Sequence, residues 1–164
     1  MRSHSRRKSA GFSLIELVIV VVIIGIIGAI AIPRMSRGAA GAADSALRAN
    51  LSVLRNAVDL YAAEHGNEYP DLATIEAQLT QYSDAQGNTI APEDRAAGDT
   101  THIFGPYLRS IPPLPVGEEQ GSTGFTDTPG TEGAAWVYNS TTGVIRANCA
   151  DAEVDDSGTA YNSY

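Results

Sequence analysis

The residue whose chemistry most needs an explanation is Glu16, a carboxylate near the start of a long apolar run. The run extends from Phe12 to Ile32, and within it only Ser13 and Glu16 are polar. An unpaired charge costs at least about 3 kcal/mol in hydrocarbon. Glu16 therefore needs a positively charged partner if it is buried, unless the side chain reaches the lipid headgroups or takes up a proton.

A second set of residues with possible chemistry is acidic and lies in the sequence DAEVDDSG. Asp151, Glu153, Asp155 and Asp156 fall close together there. Calcium takes about six to eight hard oxygen ligands of this kind, often from one loop. The spacing is not that of an EF-hand, so the alternative interpretation is a solvated acidic loop.

The other reactive residue types give no catalytic or zinc-binding pattern. His4, His65 and His102 lack zinc-ligand spacing, and Cys149 is the single cysteine. A lone cysteine cannot form an intrachain disulfide. The sequence contains no nucleophile motif of the Gly-x-Ser-x-Gly kind, no P-loop and no glycine-rich nucleotide fingerprint. It therefore predicts a protein without catalysis of its own.

The apolar run is long enough to cross a membrane as a helix. At about 1.5 Å per residue, residues 12–32 span roughly 30 Å, the thickness of the hydrocarbon core. Four basic residues precede the run, and no acidic residue does. The positive-inside rule then places the N-terminus in the cytoplasm and the rest of the chain outside. The net charge of −8 argues against nucleic acid as a partner.

The segment GFSLIEL, residues 11–17, resembles the processing motif of the type IV pilin and type II secretion pseudopilin superfamily. That motif consists of a short basic leader, a glycine, an aromatic residue, a glutamate four residues further on, and a long apolar helix. Gly11, Phe12, Glu16 and the apolar run all match it in register. Pro33 follows the run, where family members commonly have a proline.

The resemblance implies a use for each of these residues. A membrane-embedded prepilin peptidase would cut between Gly11 and Phe12 and methylate the new amine of Phe12. The helix would then leave the membrane and pack into a helical filament. There Glu16 would pair with the Phe12 amine of a neighbouring subunit, which recovers the Coulombic energy that burial costs. Pro33 cannot donate a helical hydrogen bond, so we expect a kink or local unwinding between it and Gly41.

The chain is expected to divide into four segments. Residues 1–11 form the cleaved leader, and residues 12–32 form the transmembrane and filament-core helix. Residues 33–65 continue this helix in amphipathic form, and residues 66–164 form a globular head. The amphipathic part is predicted from apolar residues at helical spacing, which should pack on the head: Leu47, Leu51, Leu54, Val58 and Tyr61.

The head is predicted to combine a short helix with a small antiparallel sheet, which makes the fold α+β and pilin-like. Asp71 is the expected N-cap of the short helix. Residues 134–139 and 144–148 are predicted to form a hairpin, and residues 159–164 a last strand. The segment GPYLRSIPPLPVG, residues 105–117, resembles the one that links helix and sheet in major pseudopilins.

Within the superfamily the resemblance is greatest to the major pseudopilin of a type II secretion system. It implies a helical homopolymer in the periplasm, built from subunits that first reside in the inner membrane with the head in the periplasm. The implied partners are minor pseudopilins, the inner-membrane assembly platform and the prepilin peptidase. A type IV pilus subunit for adhesion or motility is the nearest alternative. A binding or enzyme domain on an ordinary signal anchor is the alternative from another class.

The resemblance also bears on the acidic sequence near the end of the head. Major pseudopilins commonly bind one calcium ion in a loop close to the sheet. In this sequence the matching donors would be Asp151, Glu153, Asp155 and Asp156. A small exported domain without a disulfide would gain from such a clamp.

Overall fold

The computed structural model describes residues 12–164, and for residues 30–39 it describes the helical backbone without the side chains. The described chain falls into two compact units. One ends at Ala39, and the other is Ala40–Tyr164. The second unit contains the hydrophobic core and every strand in the described residues.

Helix α1 extends from Leu14 to Glu64 and is the longest element. Its backbone is helical through Pro33 and Gly41, so the expectation of local unwinding between them is wrong. Just after the end of the helix, Gly66 and Asn67 both have positive φ values (68° and 67°). This left-handed backbone lets the N–H of Asn67 bond the carbonyl oxygen of Ala62 at 2.7 Å.

The second half of α1 places one apolar face against the rest of the head, as its helical spacing predicted. The opposite face of the same segment is exposed, for example at Val53 and Leu60. Trp136 and Tyr138 cover the apolar face from the sheet side and are almost fully buried. The residues of the buried α1 face are Leu47, Leu51, Leu54, Val58 and Tyr61.

The head contains two small sheets, in keeping with the predicted α+β class. Strands β1 (Tyr82–Ser83) and β2 (Thr89–Ile90) form an antiparallel pair. The main sheet has the order β3-β4-β5, with β3 (Gly124–Thr126), β4 (Ala134–Tyr138) and β5 (Ile145–Ala147). Strand β3 runs parallel to β4, so the main sheet is mixed and not purely antiparallel as predicted.

The hairpin of β4 and β5 confirms the prediction for residues 134–148. Tyr138 pairs with Ile145 across it. The connecting turn is closed by Asn139, whose side-chain oxygen accepts bonds from the N–H groups of Thr141 and Thr142. Gly143 has φ +71°, and a Cβ there would meet the ring of Tyr69 at 2.4 Å. A glycine is therefore required at this position of the turn.

Two smaller predictions for the head are wrong. The short helix α2 is Ile75–Thr80, and its N-cap is Thr74 without a side-chain cap, instead of Asp71. The last segment forms a 3₁₀ turn at Tyr161–Ser163 and not a strand. Local hydrogen bonds of the acidic loop hold this segment, and they compete with pairing onto the sheet.

The proline-rich segment 105–117 lies between α1 and the sheet, as the resemblance implied. Ile111 is buried, and the carbonyl oxygen of Pro112 accepts a bond from the Trp136 indole at 3.1 Å. The carbonyl oxygen of Pro113 accepts one from the Asn50 side chain at 3.0 Å. The segment therefore bonds both the sheet and the helix.

Two carboxylates organise the loop that precedes this segment. Asp84 accepts bonds from the side chain and N–H of Asn88, and these hold its pKa below the usual range. The N–H of Thr101 and the ring of His102 lower the pKa of Asp99 to about 2. Both carboxylates are satisfied in their ionised form, which orders a polar loop that has little core of its own.

The burial difference along α1 gives a matched test of the core. In the full chain solubilised in detergent, Leu54→Ala should lower the free energy of unfolding by about 2–5 kcal/mol, because Leu54 is 0% exposed. Leu60→Ala on the exposed face should change it by less than about 0.5 kcal/mol. Denaturant unfolding followed by the fluorescence of the single, buried Trp136 measures both. Equal losses would contradict this assignment of faces.

The two loop carboxylates predict how stability depends on acid. A carboxyl group with a lowered pKa in the folded state stabilises the fold above its unfolded pKa of about 3.9. That contribution is lost as the pH falls through this value toward about 2, the pKa of Asp99. The midpoint of thermal unfolding should therefore drop in this window, less steeply in Asp84→Asn and Asp99→Asn. Glu76→Gln, at an exposed helix position, is the control and should behave as the wild type. If the unfolding midpoint of the two Asp variants falls with pH as steeply as that of the wild type, the assignment is refuted.

Candidate functional site

The N-terminal part of α1 presents apolar side chains to its surroundings on every side. From Phe12 to Ile27, thirteen large apolar side chains are between 47% and 81% exposed. Moving one such side chain out of water is worth about 1.5–3 kcal/mol. Exposed apolar surface of this extent is the mark of an interaction site. Something other than residues 12–164 of the same chain must therefore cover these apolar side chains.

Glu16 lies in this exposed segment, in the first turn of α1. Its Oε2 atom accepts a hydrogen bond from the backbone N–H of Ser13 at 2.9 Å. Ser13 directly precedes the first helical residue, Leu14, so Glu16 is the third residue of the helix. A glutamate here that bonds back to the residue before the helix makes one half of a capping box. The negative charge also lies at the positive end of the helix dipole.

This geometry leaves Glu16 free for a second partner. Its Oε1 atom has no hydrogen bond to any described residue, and the residue is exposed. A carboxylate has about four acceptor positions, of which the Ser13 N–H uses one. The capping bond therefore orients the carboxylate without saturating it.

The sequence predicted a transmembrane helix at residues 12–32. Among the helices of the described residues, none combines the length and the apolar character that a membrane span requires. The transmembrane segment stays a prediction. Gly11, with the rest of the leader, lies outside the described residues, and so the cleavage position is not part of the described geometry.

The four acidic residues of the predicted calcium loop do not form a common ligand set. Within residues 12–164, no three carboxylate, histidine or cysteine side chains come together as a metal-ion site. Asp151 accepts a bond from Asn162, and Glu153 accepts bonds from the N–H groups of Ala150 and Glu118. As placed, these residues do not fit a shared calcium ion, and calcium binding stays a prediction.

Asp155 is the buried member of the acidic loop. Its Oδ1 accepts bonds from the hydroxyl and N–H of Ser157 and from the N–H of Thr159. Its Oδ2 accepts bonds from Arg48 at 3.0 Å and from the Tyr164 hydroxyl. The Ser157 hydroxyl contributes most to holding the pKa of Asp155 well below its usual range, followed by Tyr164 and Thr159.

A serine–histidine contact also occurs in the head. Ser83 Oγ lies 3.2 Å from His65 Nε2, and the second ring nitrogen faces the carbonyl oxygen of Tyr61 at 2.9 Å. Ser83 is 0% exposed and His65 is buried against the ring of Phe104. The contact joins β1 to the residue that follows α1.

Sequence reasoning missed three of the residues that matter at these two places. Ser13 was detectable, because Ser-x-x-Glu before an apolar helix is the capping-box signature. Tyr164 was missed because a strand was predicted for residues 159–164, where the chain instead forms a 3₁₀ turn at Tyr161–Ser163. Arg48 was missed because it reaches Asp155 from α1, 107 residues away in sequence. Long-range side-chain pairs of this kind leave no local pattern in a single sequence.

Comparison with known proteins bears on the N-terminal segment. A family model described as the prokaryotic N-terminal methylation motif matches residues 6–32. This chain carries a prokaryotic N-terminal methylation motif. The motif indicates a membrane-anchored, type IV pilin-like precursor, and it implies processing by prepilin peptidase and pilus-like assembly. No curated protein and no solved structure matches the chain.

The methylation motif predicts the chemical form of the mature N-terminus. In cells that contain prepilin peptidase, mass spectrometry should find a chain that begins at Phe12 and carries one methyl group on its amine. The same protein made without the peptidase should keep residues 1–11. An intact leader in cells with active peptidase would contradict the processing and would favour an ordinary signal anchor.

Proposed function

We propose that the protein is a structural subunit of a pilus-like filament, and specifically the major pseudopilin of a type II secretion system. It has no catalytic activity of its own and works by polymerising. The observation that carries the proposal is the methylation motif at residues 6–32, together with the exposed apolar side chains from Phe12 to Ile27 at the start of α1. The motif directs cleavage and methylation by prepilin peptidase, and the exposed helix provides the surface on which copies associate.

The exposed surface of α1 gives the driving force for assembly. Thirteen large apolar side chains lack cover within the described chain. A bilayer covers them before assembly, and the same segments of neighbouring copies cover them afterwards. Between lipid and filament the hydrophobic gain is small, since lipid tails are as apolar as these side chains. A specific polar contact must therefore favour the filament and set its register.

Glu16 is the residue that makes this contact. A carboxylate in a low-dielectric surrounding is unfavourable alone, and a paired one recovers Coulombic energy. Cleavage after Gly11 creates a positively charged amine on Phe12, which the precursor does not have. The Ser13 N–H leaves the Oε1 atom of Glu16 free. This oxygen accepts a hydrogen bond from the Phe12 amine of a neighbouring copy. Processing thus creates the cation that the carboxylate needs.

The head supports a secretion pseudopilin over a type IV pilus subunit. The segment 105–117, which resembles that of major pseudopilins, has a structural role, since the carbonyl oxygen of Pro112 accepts a hydrogen bond from the Trp136 indole. Cys149 is buried, and burial raises the pKa of its thiol to about 12. With one cysteine in the sequence, the head cannot contain the disulfide expected of a typical major pilin.

The proposal places the protein at the inner membrane of a bacterium, with the head in the periplasm. Its partners are further copies of itself, minor pseudopilins, the prepilin peptidase and the assembly platform of the secretion system. The filament would extend from the membrane and push folded substrates outward. Electron microscopy of cells with native expression separates the two filament types, because long surface fibres would favour the type IV pilus alternative.

Two substitutions at Glu16 separate the charge from the capping bond. Glu16→Ala removes both, whereas Glu16→Gln keeps an acceptor for the Ser13 N–H but carries no charge. If the ionic pair with the neighbouring amine drives assembly, both variants should lose at least about tenfold in filament yield. Sedimentation of sheared filaments measures the yield, and membrane fractionation should show normal insertion for both.

The control for this experiment is Glu76→Ala, at an exposed glutamate on α2. It should assemble normally. Filaments from Glu16→Gln at the wild-type level would show that the capping bond is sufficient, and they would refute the ionic pair.

A further inference from the structure

The Asp155 carboxylate of the acidic loop already has its hydrogen-bonding capacity filled by the protein. Asp155 accepts five hydrogen bonds, from Ser157, Thr159, Arg48 and Tyr164. A carboxylate offers about four lone-pair positions, so these donors leave none for another ligand. A divalent ion could bind Asp155 only by displacing these donors.

Two other carboxylates of the loop, those of Glu153 and Asp151, accept hydrogen bonds from different parts of the head. The two oxygens of Glu153 accept bonds from the N–H groups of Glu118 and Ala150 at 2.8 and 2.7 Å. Asp151 accepts the Asn162 amide at 2.7 Å. These bonds join the loop to the segment before β3 and to the 3₁₀ turn. These two carboxylates therefore bind two backbone N–H groups and one side-chain amide instead of one central ion.

A cation is nevertheless present beside Asp155, and it belongs to α1. The Arg48 Nη2 atom lies 3.0 Å from Asp155 Oδ2 and 2.6 Å from the Tyr164 hydroxyl oxygen. The guanidinium carbon lies 4.8 Å from the centre of the Tyr164 ring, within reach of a cation–π contact. The Asp155 side chain is 2% exposed, so its charge would be unpaired without this arginine.

Residues on either side of Arg48 on α1 strengthen the same attachment. Asp44, one turn earlier, accepts the Tyr161 hydroxyl at 2.7 Å. Arg55, two turns later, donates to the carbonyl oxygens of Tyr164 and Ile145 at 2.6 and 2.9 Å. These contacts tie the acidic loop, the 3₁₀ turn and β5 to one helix.

We infer that the Arg48 guanidinium does in this head what a bound divalent cation would do, so that the acidic loop is ordered without calcium. The guanidinium neutralises the buried carboxylate and links it to the last turn of the chain. Its Nη2 atom donates to both Asp155 and Tyr164, and the guanidinium also lies within cation–π reach of the Tyr164 ring. A lysine ammonium combines these contacts less well. This inference does not depend on the filament role of the protein.

The test compares chelation with loss of the arginine, on the full processed chain in detergent. Thermal unfolding of the wild type should have the same midpoint with EDTA and with added calcium chloride. Arg48→Met should lower that midpoint by at least about 4 °C, since it leaves the Asp155 charge buried without a cation. The unfolding midpoint of Arg48→Lys should lie between those of the wild type and Arg48→Met. Arg109→Met, at an exposed arginine without a side-chain bond among the described residues, should match the wild type.

Calorimetric titration of the wild type with calcium chloride keeps the inference testable if Arg48→Met does not fold. No stoichiometric calcium binding should be seen. A fall in the wild-type midpoint on chelation, stoichiometric calcium uptake, or an Arg48→Met midpoint equal to that of Arg109→Met would each overturn the inference.

Discussion

The structure depends on one constraint, which is that α1 carries two apolar surfaces and the described chain covers only one of them. The face that includes Leu47 and Leu54 is buried in the head, under Trp136 and the segment around Ile111. The N-terminal surface from Phe12 to Ile27 is exposed. The head therefore buries its own apolar face, while the apolar side chains of the first half of the helix require other molecules to cover them. This division separates folding from assembly within a single helix.

The polar residues follow the same division. In the head, Asp155, Arg48 and their neighbours satisfy one another, and their bonds stabilise the position of the last segment on α1. At the other end, Glu16 has one capping bond and remaining acceptor capacity. A satisfied network stabilises one structure, whereas a partly satisfied carboxylate favours a new partner. The proposed assembly uses the partly satisfied carboxylate of Glu16, because processing would produce an amine on Phe12 at the start of the same helix.

Much of this could be predicted from the sequence, where the signal was local. The buried face from Leu47 to Tyr61 and the hairpin that includes Trp136 are both confirmed. The methylation motif was found because its residues occur in fixed register over a short stretch. The exposure of the N-terminal segment follows from the same apolar run.

What could not be predicted depends on contacts between distant residues. The acidic residues were interpreted as one possible calcium site because they are neighbours in sequence, yet their side chains point to different partners. The parallel pairing of β3 with β4 depends on the path of the connection over residues 127–133, which no short-range pattern specifies. Asp71 was a reasonable cap by residue type, but its N–H bonds the Gln78 side chain instead and α2 begins later.

The central claim is that Glu16 of one copy pairs with the Phe12 amine of another. Solid-state NMR on mixed filaments tests this most directly. Half of the copies would be isotope-labelled at the phenylalanine nitrogen and half at the glutamate carboxyl carbon, so that any dipolar contact arises between copies. The account predicts a contact between the methylated amine nitrogen and the Glu16 carboxyl carbon at about 4 Å or less. Contact seen only when both labels are in the same copy, or no contact at all, would contradict it.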